Sequence, residues 1–233
     1  MLGSSISKNS LLLGAFALVA AGGLALTNEG TKERIQKAER AAQQKALFEI
    51  VPSSRHDNDL LADTLAVPEA NWVDLGLKKG GEIYVARKEG ELVAVIVPAV
   101  APDGYSGDIR MIVGVNRDGS VAGVRVLAHN ETPGLGDKIE LRKSPWILGF
   151  EGKSLQSPEP EQWTVKKDGG NFDQFSGATI TPRALVNQVK RVLAFVETNQ
   201  DYLFNISANT EVDEPVLTQP AADPNNNQTG AAQ

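Results

Sequence analysis

A chain of 233 residues with 23 basic and 29 acidic side chains has a formal net charge of −6, which argues against a nucleic-acid-binding protein. The chain contains no cysteine and only 2 histidines, which excludes disulfides and cysteine-ligated iron–sulfur clusters and argues against a histidine-rich metal or haem site. Any redox role would depend on an organic cofactor, because these side chains do not carry electrons.

The first predicted element is an apolar segment at residues 11–26 that carries no charge and is rich in Leu, Ala, Gly and Val. Its length of about 16 residues lies between that of a signal-peptide core and that of a membrane-spanning helix. We expect an uncleaved transmembrane anchor at 11–27 after a short segment at 1–10. The reason is that a charge-mixed, helix-like stretch follows at once, which predicts a juxtamembrane helix at 28–52. A small-x-small pattern ending at Ala25 leaves a cleaved leader as the alternative.

The charges around this segment predict an orientation. Lys8 precedes it, whereas five basic residues follow it (Lys32, Arg34, Lys37, Arg40 and Lys45). The positive-inside rule therefore predicts that the body of the protein lies in the cytoplasm.

The stretch 53–74 is polar and is predicted to be a loop, with 56–59 as a solvated turn rather than a metal-binding loop. Strands are predicted at 82–87, 92–97, 109–115 and 121–127, with hairpin turns at Glu89-Gly90 and Asp118-Gly119.

Farther along, a short helix is predicted at 146–150, a strand at 163–165 and an amphipathic helix at 183–197. The Pro- and Asn-rich composition of 209–233 predicts a disordered tail. The predicted fold class is α+β: a single N-terminal transmembrane helix followed by one α+β ectodomain at 53–208 with antiparallel hairpins.

The most informative stretch is Asp-Gln-Phe-Ser-Gly-Ala-Thr-Ile-Thr-Pro at 173–182. Its small residues leave room for a bulky group near the backbone, while Thr181 and Pro182 are predicted to be the cap and the first residue of a helix. The free N–H groups and dipole of a helix N-terminus favour a phosphate, so a phosphate ester on Thr179 would be stabilised there. The alternative is an ordinary strand–turn–helix corner.

A second motif comprises a strand entry, Gly-Tyr-Ser-Gly-Asp-Ile at 104–109, and a loop, His-Asn-Glu-Thr-Pro-Gly-Leu-Gly-Asp-Lys at 129–138. Gly134 and Gly136 allow the loop backbone to approach a flat ligand. Leu135 is predicted to pack on an aromatic ring, with Thr132 and Lys138 at its polar edges. The alternative is a long turn, and His129 is expected to be a structural hydrogen-bonding residue.

The Ser-Gly-Ala-Thr sequence at 176–179 resembles the signature of covalently flavinylated electron-transport proteins. With the 129–138 loop, the chain resembles the G subunit of the Rnf (Rsx) ion-translocating electron-transport complex over residues 1–205. The FMN-binding domain of that family is shared with the C subunit of the sodium-pumping NADH:quinone reductase. The resemblance implies a single-pass protein of the bacterial inner membrane with its flavin domain on the periplasmic side, against the prediction from charge.

The resemblance also implies that a flavin transferase, using FAD, joins FMN through its phosphate to Thr179, and Asp173 is a candidate recognition residue for that enzyme. The implied role is electron relay with other membrane subunits of an Rnf-type complex, with no catalytic or metal-binding residue in this chain. The predicted cofactor-binding residues are Thr179, Ser176, Gly177, Ala178, Glu131, Thr132, Leu135, Gly136 and Lys138.

Three alternatives remain at this stage. The chain could be the flavin-carrying component of a quinone reductase, a membrane-anchored binding module without redox chemistry, or a secreted protein with a cleaved leader.

Overall fold

The computed structural model describes residues 2–204, with side chains from residue 8 onward, and the predicted tail at 209–233 lies outside the described residues. Its first element is one unbroken helix, α1 (Leu2–Ile50). At 1.5 Å per residue this helix is about 70 Å long. Among the described residues, α1 is the one helix long and apolar enough to cross a membrane, and its apolar window is not buried against the rest of the chain. The predicted anchor and juxtamembrane helix are therefore parts of a single helix.

The body of the protein is built on a five-stranded antiparallel sheet in the order β1-β2-β3-β4-β5. The strands are β1 (Thr64–Ala66), β2 (Glu82–Lys88), β3 (Glu91–Gly104), β4 (Gly107–Asn116) and β5 (Val121–Ala128). This arrangement confirms the predicted α+β class.

Three local predictions were wrong. The stretch 53–74 is not all loop, because it contains β1, which pairs with β2 but is too short to show an alternating pattern. The segment 163–165 is not a strand: Val165 forms only an isolated bridge to Phe172. The turn at 56–59 is not fully solvated, since His56 is only 7 % exposed and its ring stacks on Phe48 at a centroid distance of 5.6 Å.

The main core lies between one face of the sheet and helix α2 (Ile180–Thr198), which begins earlier than predicted and is followed by the short α3 (Gln200–Phe204). Buried apolar side chains of α2, such as Leu185 and Val189, share this core with side chains of β3 and β4. The predicted short helix is found as a 3₁₀ turn at Pro145–Phe150. Burial of this apolar face holds α2, and with it the loop before α2, against the sheet.

The opposite face of the sheet is covered by the last turns of α1. Ile50 lies over Gly114 and Gly123, which face each other across β4 and β5. Beside this contact, Arg125 Nε on β5 donates a hydrogen bond to Glu49 Oε2 at 2.9 Å, and the Arg125 side chain is 9 % exposed. The membrane-length helix is therefore packed directly against the sheet rather than joined to it by a linker.

Candidate functional site

A cavity of about 320 Å³ opens at the end of the sheet where three segments meet. They are the β3–β4 turn with Tyr105, the loop after β5 at 131–136, and the corner at 177–181 that leads into α2. The volume lies at the lower end of the usual range for small-molecule sites, roughly 300–1,000 Å³. The antiparallel topology brings these distant segments together, because β5 ends at the same end of the sheet as the turn between β3 and β4.

Most of the predicted cofactor-binding residues line this cavity, namely Glu131, Thr132, Leu135, Gly136, Gly177, Ala178 and Thr179. Ser176 is exposed next to the corner and Lys138 is half-buried in a 3₁₀ turn, and neither lines the cavity. Sequence reasoning missed Tyr105, Ile180 and Thr181 as lining residues. Tyr105 belongs to the 104–109 motif, so the signal for it was present in the sequence.

The helix start differs from the prediction in one respect. Thr179, not Thr181, occupies the N-cap position of α2, and its side chain makes no capping hydrogen bond. Thr181 lies within the first turn, fully buried, and its hydroxyl donates a hydrogen bond to Glu131 Oε2. Pro182 is the third helical residue rather than the first. The prediction failed because a buried carboxylate from a distant loop takes up the Thr181 hydroxyl.

The loop between β5 and the cavity is held by its own side chains. Asp137 is 6 % exposed, and its Oδ1 accepts a hydrogen bond from the Gly134 N–H at 2.8 Å. His129 Nε2 lies 2.9 Å from Glu140 Oε1, while its Nδ1 accepts from the Glu131 N–H at 2.9 Å. An Nδ1 that accepts places the ring proton on Nε2, facing Glu140. His129 is thus a hydrogen-bonded structural residue, as predicted.

Asp173 lies outside the cavity. Its side chain is 68 % exposed and forms an ion pair with Lys166 at 2.7 Å, and its backbone oxygen accepts from Trp146 Nε1 at 2.8 Å. Asp173 is therefore accessible at the surface beside the corner.

The residues that line the cavity fit a flat molecule that carries a phosphate. Leu135 and Ile180 are 42 % and 44 % exposed, so apolar surface is available to an aromatic ring. None of the described lining residues is Lys or Arg. The positive end of α2 and its first N–H groups are consequently the feature that can stabilise phosphate charge.

The cavity of this antiparallel α+β domain lies beside a helix N-terminus, an arrangement that suits a flat molecule carrying a phosphate. In agreement, residues 104–194 match the family described as FMN-binding domain, and residues 1–50 match the RnfG N-terminal region.

Three similar proteins are named as the G subunit of an ion-translocating oxidoreductase complex. The protein from Shewanella loihica is 50 % identical over 89 % of this chain and 97 % of its own length. That from Pseudomonas aeruginosa is 51 % identical over 85 % and 92 %, and that from Vibrio cholerae is 46 % identical over 87 % and 95 %. The chain therefore belongs to the RnfG family of ion-translocating oxidoreductase complexes, and the resemblance inferred from the sequence is confirmed.

Proposed function

We propose that this protein carries FMN joined through its phosphate to Thr179 Oγ1, and that it relays electrons within an Rnf-type ion-translocating complex. Bound FMN supplies reversible electron uptake and release at the cavity. The observation that carries the proposal is the position of Thr179, whose hydroxyl stands at the cavity and at the start of α2 without capping it.

The attachment reaction balances with FAD as the donor. A bond forms between Thr179 Oγ1 and the phosphorus next to riboflavin, the pyrophosphate bond breaks, AMP leaves, and the hydroxyl proton is released. The only carboxylate among the described lining residues is that of Glu131, and its oxygens already accept from Ser106 N–H and the Thr181 hydroxyl. Activation of Thr179 must therefore come from the flavin transferase.

The phosphate would lie where the fold favours it. The first N–H groups of a helix have no partner within the helix, and the dipole adds positive potential there. Pro182 has no N–H, so the groups concerned are those of Ile180 and Thr181, and because the Thr179 side chain makes no capping hydrogen bond they stay available to the phosphate oxygens. A covalent link would also keep the cofactor in a cavity that is open and of modest size.

The test is in-gel flavin fluorescence of the denatured full-length protein after expression with a flavin transferase, supported by intact mass. We expect wild type to fluoresce and Thr179→Ala to be dark. Thr132→Ala is the matched control, since it removes an exposed threonine hydroxyl of the same cavity while leaving half-buried Thr179 in place, and it should fluoresce. A fluorescent Thr179→Ala would refute the attachment site. If wild type does not fluoresce although the transferase labels a control substrate, the result would favour the non-redox binding module.

Electron relay can be separated from attachment in the assembled complex. Relatives named as the G subunit of such a complex, matched over nearly their whole length, favour an Rnf-type complex over a quinone reductase. Membranes containing Thr179→Ala should retain the assembled subunits on affinity purification but lose electron transfer. Normal electron transfer without the flavin would contradict the relay, and co-purification with quinone reductase subunits instead would support the alternative complex.

The proposed location is the bacterial inner membrane, with α1 crossing once and the flavin domain in the periplasm. The membrane-length helix and the family support membrane attachment, whereas the basic residues after residue 31 favour the opposite orientation. Fusions of alkaline phosphatase and of a fluorescent protein to the C-terminus decide the side. Active phosphatase with a dark fluorescent protein is expected, and the reverse pattern would place the domain in the cytoplasm.

A further inference from the structure

One carboxylate joins all three segments of the cavity. Glu131 is 4 % exposed, and its Oε1 accepts from the Ser106 N–H of the β3–β4 turn at 2.9 Å. Its Oε2 accepts from the Thr181 hydroxyl in the first turn of α2. Its own N–H donates to His129 Nδ1 at 2.9 Å, which fixes the loop from which the side chain extends. Removing the carboxylate would therefore release the turn and the helix start at once.

The surrounding backbone is fitted to this side chain. A Cβ placed on Gly104 would lie 2.9 Å from Glu131 Oε1, and one on Gly136 would lie 2.9 Å from both Glu131 Oε2 and Thr181 Oγ1. The two segments of the second motif thus each place a glycine against the carboxylate. Gly136 leaves room for Glu131 and Thr181. Gly104 leaves room for Glu131 and, closer still, for the Gly107 carbonyl oxygen. Close packing on both sides prevents the side chain from adopting another rotamer.

We propose that Glu131 is a positioning residue for flavin attachment: it holds the first turn of α2 so that Thr179 presents its hydroxyl at the cavity. The inference rests on the proposed attachment at Thr179. Thr179 lies two residues before Thr181. The hydrogen bond from Thr181 to Glu131 therefore stops the N-terminal end of α2 from unwinding next to the hydroxyl to which FMN is attached. Misplacement of a reacting group by about 1 Å can lower a rate by about 100-fold.

The hydrogen bonds, rather than the charge, carry this role. In Glu131→Gln the amide oxygen can still accept from Ser106 N–H, and the amide N–H can donate to the Thr181 oxygen. Glu131→Ala retains neither contact. Thr181→Val removes only the link to the helix, whereas Thr181→Ser keeps the hydroxyl and is its matched control.

The experiment measures the initial rate of FMN attachment to the full-length protein in detergent, with purified flavin transferase and FAD. Only variants with a wild-type circular dichroism spectrum and a cooperative thermal transition are compared. We expect Glu131→Ala and Thr181→Val to react about 10- to 100-fold more slowly, at an unchanged KM for FAD. Glu131→Gln and Thr181→Ser should react at close to the wild-type rate. The Glu131→Ala/Thr181→Val double variant should be no slower than the slower single variant, because Glu131→Ala already removes the contact that Thr181→Val removes.

The outcomes separate the two proposals. If wild type is labelled and a folded Thr181→Val is labelled equally fast, this inference is overturned and attachment at Thr179 stands. A slow Glu131→Gln that matches Glu131→Ala would overturn it as well, since the charge would then be what matters. If wild type itself is not labelled while a control substrate is, the proposed function fails and this inference fails with it.

Discussion

The contact between α1 and the sheet leads to a sharp prediction at Gly114. A Cβ at this position would lie well inside van der Waals distance of Ile50 Cγ2, a side chain that is 2 % exposed. Overpacking of this kind costs about 1–3 kcal/mol, while replacing a strand glycine by alanine recovers about 0.5–1 kcal/mol. The difference spans about 0–2.5 kcal/mol, and because the Cβ lies so far inside contact distance we expect Gly114→Ala to lower the free energy of unfolding by about 1–2 kcal/mol. For a domain of this size the Tm should fall by roughly 2–8 °C.

Gly123 provides the matched control on the neighbouring strand. A Cβ there would lie 3.4 Å from Ile50 Cγ1, an ordinary contact, so Gly123→Ala should leave the Tm unchanged or slightly raised. The assay is thermal unfolding of the full-length protein in detergent, followed by tryptophan fluorescence. In an Ile50→Ala background the penalty at Gly114 should disappear, because the clashing methyl is gone. Equal Tm values for Gly114→Ala and Gly123→Ala would refute the proposed packing of α1.

Two further predictions concern pH. The hydrogen bond from Arg142, followed by that from His129, holds the pKa of Glu140 below its ordinary value. A lowered pKa contributes stability that is complete above the ordinary glutamate value of about 4.3 and is lost as the pH falls below it. The Tm of wild type should therefore drop more steeply in acid than that of Glu140→Gln, and parallel curves would contradict this. Burial raises the pKa of Tyr84, whose hydroxyl accepts a hydrogen bond from Gln43 Nε2 at 2.7 Å. This stability is complete below about pH 10 and is lost above it, so wild type should lose more stability in alkali than Tyr84→Phe; an equal loss would count against the burial argument.

The candidate site was partly accessible to sequence reasoning. The loop at 129–138 and the Ser-Gly-Ala-Thr sequence at 176–179 stand out in the sequence. Glycine, proline and small residues favour particular backbone conformations wherever they occur in the chain. The role of Thr181 was assigned wrongly, because its partner Glu131 is 50 residues away along the chain. Lys138 was chosen for its charge, but which way its side chain lies depends on a 3₁₀ turn that the sequence pattern does not reveal. The roles of the predicted residues in cofactor binding remain predictions.

By itself, the sequence determined the membrane-length helix, the four longer strands, the α2 helix and the family. Each of these can be predicted from hydrophobic periodicity, from turn residues or from a contiguous motif. All three are properties of neighbouring residues and do not require knowledge of the fold. Only the tertiary structure decided that the two motifs share one cavity, that α1 packs on the sheet through Ile50, and that Glu131 joins the cavity segments. Those features depend on side chains that are far apart in sequence, and burial and antiparallel pairing bring them together only when the whole domain has folded.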